Sequence, residues 1–149
     1  MVPVAGVEPG RVPDGFLAAR GERVHRAVDI LAPRGTPIVA ADSGRVYRIR
    51  SNALGGNVVY ALDPSGRFVY YYAHLDGYRE GLAEGMKLAQ GDVIGYVGTT
   101  GNAPPDVPHL HFQVMVYDAT RKYWDGTPID PRPLFTRSGR APEPLGTKP

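Results

Sequence analysis

The sequence predicts an all-β fold, mainly antiparallel and barrel- or sandwich-like with little helix, and three observations carry that prediction. Glycine (19) and proline (15) punctuate the 149 residues so densely that long helices have little room. The apolar runs are short and separated by turn signals, the pattern of strands rather than helices. Asp63-Pro64-Ser65-Gly66, set between two such runs, is a strong hairpin turn signal.

Taken in order, residues 1–15 carry three prolines and read as an extended lead-in. Residues 24–30 (Val-His-Arg-Ala-Val-Asp-Ile) lead into a turn at 32–37. Strands are predicted at 38–41, 44–50, 57–62 and 67–74, the last two joined by the hairpin turn. Residues 76–91 are Gly-rich, with one weak helical turn expected near Leu82, and 92–97 is a further strand. A Gly-Thr-Thr-Gly loop with two prolines then delivers the chain to residues 108–116, Pro-His-Leu-His-Phe-Gln-Val-Met-Val. Residues 117–128 are a polar and aromatic excursion carrying Tyr123 and Trp124. The domain is expected to span 16–135, with 136–149 a flexible tail. The shape of 35–44 is faintly echoed in 85–92, as two similar hairpin units of one domain would be.

Composition excludes several classes. The net charge is +2 and the basic residues are scattered without a basic, aromatic-laced stripe, so nucleic acid is not an expected partner. There is no cysteine, so disulfides and thiolate metal sites are out and a metal must use His, Asp or Glu. No apolar run is long enough to span a bilayer. Residues 1–15 lack a basic segment followed by an apolar one, so no signal peptide is read there, which fits a cytosolic protein or a trimmed, mature chain. A Gly-x-Ser-x-Gly elbow and a phosphate loop are also missing.

The chain has four histidines, and two stand on the 108–116 strand. Alternation sends Leu110, Phe112, Val114 and Val116 to a core, and His109, His111 and Gln113 to the other face. The two imidazoles are then about 6.5 Å apart along the strand, one placed for a metal and the other within reach of a water on it. Taken alone, His-x-His is more often a pair of surface histidines on a half-exposed strand. His25 and Asp29, four residues apart, would span about 13 Å in an extended strand, so they share an ion only if the chain bends, most cheaply at Ala27. His74 ends the run Val69-Tyr70-Tyr71-Tyr72-Ala73-His74, where alternation groups Tyr70, Tyr72 and His74 on one face. Together, His25, Asp29 and His111 give zinc three protein ligands and an open position, the catalytic pattern. Water in that position becomes a nucleophile near neutral pH, while His74 and His109 take up its proton and stabilise an oxyanion.

His25-x-x-x-Asp29, Tyr72-Ala73-His74-Leu75, and Gly98-Thr99-Thr100-Gly101 leading to Pro108-His109-Leu110-His111-Phe112 resemble the LytM/lysostaphin-type zinc metalloendopeptidases. The resemblance covers roughly residues 16–135. It implies an antiparallel β fold with a substrate groove, one Zn2+ per chain, and cleavage of stem peptides or cross-bridges of bacterial peptidoglycan. By the same resemblance His25, Asp29 and His111 match the metal ligands, and His74 and His109 match the catalytic pair. A periplasmic, envelope or secreted location follows from that substrate. Two departures stand out: Ala27 replaces the usual glycine, and 102–107 is longer than usual before the His-x-His. Arg20, Tyr72 and Trp124 are candidate substrate-binding residues, and the chain is expected to act as a monomer. Two other readings stay open: a catalytically silent LytM-type domain that binds peptidoglycan or regulates another wall hydrolase, and a biotinyl/lipoyl-type carrier built around Lys87.

Overall fold

The computed structural model describes residues 1–13, 26–117 and 122–139, together with the backbone of 19–20 and 23–24. Among these residues there is no α-helix. The ordered elements are strands and two short 3-10 turns, at Pro9–Arg11 and Arg132–Leu134. The helical turn expected near Leu82 is a pair of tight turns instead.

A two-stranded ribbon pairs β1 (Ala19–Arg20) with β2 (Arg23–Val24). The main sheet holds β3 (Val28–Leu31), β4 (Pro37–Val39), β5 (Gly44–Asn52), β6 (Gly56–Leu62), β7 (Phe68–Tyr78), β8 (Lys87–Leu88), β9 (Val93–Val97), β10 (His109–Val116) and β11 (Thr127–Ile129). All its pairings are antiparallel, in the order β11-β10-β7-β6-β5-β8. The two long strands each serve two sets of neighbours. Residues 68–73 of β7 follow β10, while its far end from Leu75 turns to β9. β10 pairs β3 over His109–Phe112 and β11 over Val114–Val116 along one edge. Sharing partners in this way curls the sheet into a half-barrel.

The expected hairpin turn joins β6 to β7. Asp63 accepts hydrogen bonds from the Ser65 hydroxyl and the Phe68 N–H at 2.7 and 2.9 Å, and Gly66 takes φ +74°. Alternation holds along most of β10: Leu110, Phe112 and Val114 are fully buried in the main core with Tyr70, Tyr72, Ile30 and Ile94. Each such side chain contributes about 1.5–3 kcal/mol by leaving water. Val116, expected in the core, is 42% exposed, because it ends the strand beyond the packed layer. On the opposite face Leu62, Val69 and Met115 form a smaller cluster with Tyr47, Tyr60, Tyr71 and Tyr117.

The first residues, expected as a lead-in, are built into the main core. Val2 and Val4 are fully buried, Val4 bridges Ile38, and the Pro3 carbonyl accepts the Val39 N–H at 2.9 Å. The chain after 135 meets them there. The Val2 N–H donates to Arg137 O at 3.1 Å, the Gly6 N–H to Gly139 O at 2.9 Å, and Ala5 bridges Gly139. Residues 140–149, the rest of the expected tail, lie outside the described residues.

Candidate metal centre and groove

The pairing of β3 with β10 sets the centre of the site. His111 stands opposite Asp29 in register, and its Nδ1 lies 3.1 Å from Asp29 Oδ1. Two donors held at about 2.0–2.2 Å in a tetrahedral array stand roughly 3.3 Å apart, so this pair fits the edge of a zinc site. Among the described residues no set of three His, Cys, Asp or Glu converges as a metal site. The third expected ligand, His25, lies outside the described residues, as does the side chain of Arg20. The chain bends at Ala27, as expected. Arg26 takes φ +55°, and its carbonyl accepts a hydrogen bond from Gln113 Nε2 at 3.2 Å, while Ala27 is buried.

His109 begins β10 and is largely buried. Its Nε2 lies 3.8 Å from Asp29 Oδ1, and its Nδ1 lies 2.9 Å from the Val107 carbonyl. A carbonyl can only accept, so Nδ1 carries the hydrogen and Nε2 of the neutral ring keeps its lone pair towards the site.

His74 reaches the same place by a different route. Strand alternation groups it with Tyr70 and Tyr72, which face the core, yet its ring packs 4.9 Å from that of His109 and 5.8 Å from that of His111. The reason is local: the pairing of β6 with β7 slips between Asn57 and Val59, and His74 adopts φ +68°. The left-handed region, costly for most residues, turns the side chain onto the other face. Two contacts hold it there. The His74 N–H donates to Gly55 O at 2.7 Å, and Nδ1 donates to Thr100 O at 2.8 Å, which again leaves Nε2 as the proton acceptor. Burial, reinforced by the neighbouring His109 and His111, lowers its pKa below the ordinary imidazole value.

The Thr100 loop is itself pinned. Thr100 Oγ1 donates to Leu75 O at 2.8 Å and accepts the Asn57 N–H at 3.1 Å. Gly101 (φ +73°) presses against Gly56 (φ +67°) so closely that a Cβ on either would overlap the other's backbone. Both positions need glycine for the approach as well as for the angle.

Asp29, His74, His109 and His111 form the floor of an open groove of about 620 Å³, with Tyr71 and Ala73 beside them. Its walls come from Leu31, from Leu54 and Gly55 in the β5–β6 turn, and from Asn102, Ala103, Pro104 and Val107 of the segment singled out as unusually long. Tyr71 was missed by the sequence reading, although its register opposite Gln113 puts it on the histidine face, and its ring meets His111 edge-on at 6.0 Å. Tyr72, proposed to touch substrate, does not line the groove. It is fully buried, and its hydroxyl accepts the Ala41 N–H at 3.0 Å. Trp124 is 52% exposed but stands off the groove, packed edge-on against Tyr123, with Lys122 5.3 Å above its ring. Lys87 lies within a strand pair, opposite Arg45, rather than at the hairpin tip a carrier requires.

Comparison with known proteins agrees with this architecture. The model of peptidase family M23 matches residues 23–131. An L-Ala–D-Glu endopeptidase of Bacillus subtilis is 35% identical over 118 residues, covering 76% of this chain and 35% of the relative. The peptidoglycan DD-endopeptidase ShyC of Vibrio cholerae is 38% identical over 94 residues, covering 63% and 21%. The chain thus spans about a third or less of the length of these relatives. Among solved structures, the catalytic domain of the antimicrobial peptidase lysostaphin from Staphylococcus simulans superposes with a TM-score of 0.65 at 32% identity, covering 75% of this chain and 79% of that one. A zinc-containing peptidase from Vibrio cholerae gives 0.63 at 27% identity, covering 79% and 34%. With its three motifs inside the matched span, the chain belongs to peptidase family M23.

Proposed function

We propose that this chain is a zinc-dependent endopeptidase that hydrolyses peptide bonds of bacterial peptidoglycan, acting in the cell envelope or outside the cell. The observation that carries the reading is the convergence on one groove floor of Asp29 and His111, 3.1 Å apart, with the rings of His109 and His74 beside them. Relatives named for peptidoglycan and L-Ala–D-Glu cleavage, and a zinc-containing structural neighbour, support the substrate and the metal. Asp29 and His111, with His25, are the residues that would hold one zinc ion, which when bound supplies the Lewis acidity that makes water nucleophilic near neutral pH.

The chain's own part is proton handling and orientation. The Val107 and Thr100 carbonyls hold a hydrogen on Nδ1 of His109 and His74, so Nε2 is the working nitrogen of each ring. The water oxygen adds to the scissile carbonyl carbon, and its proton passes to Nε2 of this pair. When the C–N bond breaks, that proton goes to the leaving nitrogen and the remaining hydroxyl proton of the new acid follows it, giving one new carboxylate and one new ammonium end. Tyr71, kept as the neutral phenol because burial pushes its hydroxyl pKa up, walls the floor beside His111.

The test is digestion of purified peptidoglycan by zinc-loaded protein, with released peptides identified by mass. New amine and carboxylate ends are expected, together with one zinc per chain. His109→Ala should lose about 10²–10⁴-fold in rate while keeping its zinc. Metal-free protein that releases nothing after zinc is added would refute the proposal.

A further inference from the structure

The groove is greasier than peptide chemistry alone requires. Leu31 and Leu54, each 63% exposed, and Val107, 37% exposed, are three of the large hydrophobic side chains this protein leaves in water, and all three line the groove. They come from three separate segments: the end of β3, the β5–β6 turn and the loop before β10. Each is also fixed. Leu31 pairs His109 in register, the Leu54 carbonyl accepts the Asn102 N–H at 3.0 Å, and the Val107 N–H donates to Pro104 O at 3.1 Å. Exposed aliphatic groups gathered from distant segments around a reactive floor mark a surface that is covered when ligand binds.

From this placement we infer that the groove selects for a small aliphatic side chain next to the scissile bond, so that alanyl peptides are preferred over glycyl ones. The inference rests on the peptidase reading and specifies its substrate. A glycyl residue offers the three aliphatic walls nothing to bury. An alanyl methyl is drawn out of water against them, and one buried methyl corresponds to about a fourfold gain, two to roughly fifteenfold. A charged side chain in the same place gives up hydration against alkyl surface.

The experiment compares two quenched fluorescent peptides of equal length on the zinc-loaded protein, one alanyl in both residues flanking the cleaved bond and one all-glycyl. A second arm measures their affinity for the His109→Ala variant by calorimetry, without turnover. The alanyl peptide is expected to have the higher kcat/KM by about fourfold to fifteenfold, and the tighter Kd by a similar factor. In Leu54→Ser and Val107→Ser both ratios should fall towards one. Equal or glycine-favouring ratios in both arms overturn the inference and leave the peptidase reading intact. Cleavage of neither peptide counts against the peptidase reading, and the calorimetric ranking then decides the specificity claim alone.

Discussion

Thr100→Val is the substitution that most directly tests how His74 is positioned. Valine keeps the shape of threonine and replaces its hydroxyl by a methyl. Two hydrogen bonds vanish: Thr100 Oγ1 to Leu75 O, 2.8 Å, and the Asn57 N–H to Thr100 Oγ1, 3.1 Å. The losses are unequal, because Leu75 O keeps a second donor in Asn57 Nδ2 at 3.0 Å, while the Asn57 N–H loses this acceptor in a half-buried setting. One ordinary bond at about 1 kcal/mol and one orphaned donor at about 1–2 kcal/mol give a destabilisation of about 2–3 kcal/mol. In a chain of this length that is a fall in Tm of about 5–10 °C. The same loop carries the carbonyl that holds His74 Nδ1, so turnover should fall at least about tenfold with a much smaller change in KM. Urea unfolding with an unchanged m-value gives the first quantity, and steady-state kinetics on a soluble peptide give the second. Thr100→Ser, which restores the hydroxyl, should recover both. If the valine variant stayed within about 0.5 kcal/mol of the parent and kept its kcat, the pinned-loop account of His74 would be wrong.

Three more outcomes follow from the same contacts. Asp29→Asn and His111→Ala should each lower zinc content well below one per chain and abolish peptidoglycan release, and a chelator should do the same to the parent protein until zinc is returned; metal analysis by mass spectrometry reads both. Tyr72→Phe removes a hydroxyl that the buried Ala41 N–H uses, so it should cost about 1–3 kcal/mol in urea unfolding and leave the ranking of peptide substrates unaltered. Burial alone would raise the pKa of Asp63, but hydrogen bonds from Ser65 and from the Phe68, Ser65 and Arg67 backbone outweigh it and hold the carboxyl below its ordinary value of 3.8. A depressed carboxyl stabilises the fold above that ordinary value and loses the contribution as the pH falls through its lower folded value. Asp63→Asn should therefore flatten stability against pH below about pH 4, measured by thermal melts across that range.

The sequence was most legible where physics is local and periodic. β10 declared itself because apolar residues alternate with histidines, and residues 63–66 did so through turn chemistry that needs no distant partner. At His74 local periodicity stops being a guide. Its membership of the histidine cluster was readable from the motif, but its face was not, because a slip in pairing with β6 and one left-handed residue reverse the alternation that had served up to Ala73. The same reversal explains Tyr72: once His74 was grouped with it, Tyr72 fell on the site side in place of Tyr71. Val2 and Val4 were hidden for another reason. They are short of any periodic pattern, and their burial depends on partners such as Ile38, Arg137 and Gly139 that local sequence cannot reveal. The aliphatic walls were equally silent, since Leu31, Leu54 and Val107 are unremarkable singly and acquire meaning through their meeting in space.

The contact between Gly56 and Gly101 has a mechanical consequence. Two backbones in touch, with no side chain between them to compress or swing aside, transmit displacement instead of absorbing it. The turn that carries Leu54 and the loop that carries Thr100 therefore travel as one piece, and Thr100 grips the His74 ring. On the function proposed above, a peptide that pushed against Leu54 would be felt at the imidazole, so that seating it and aiming the ring would be a single motion.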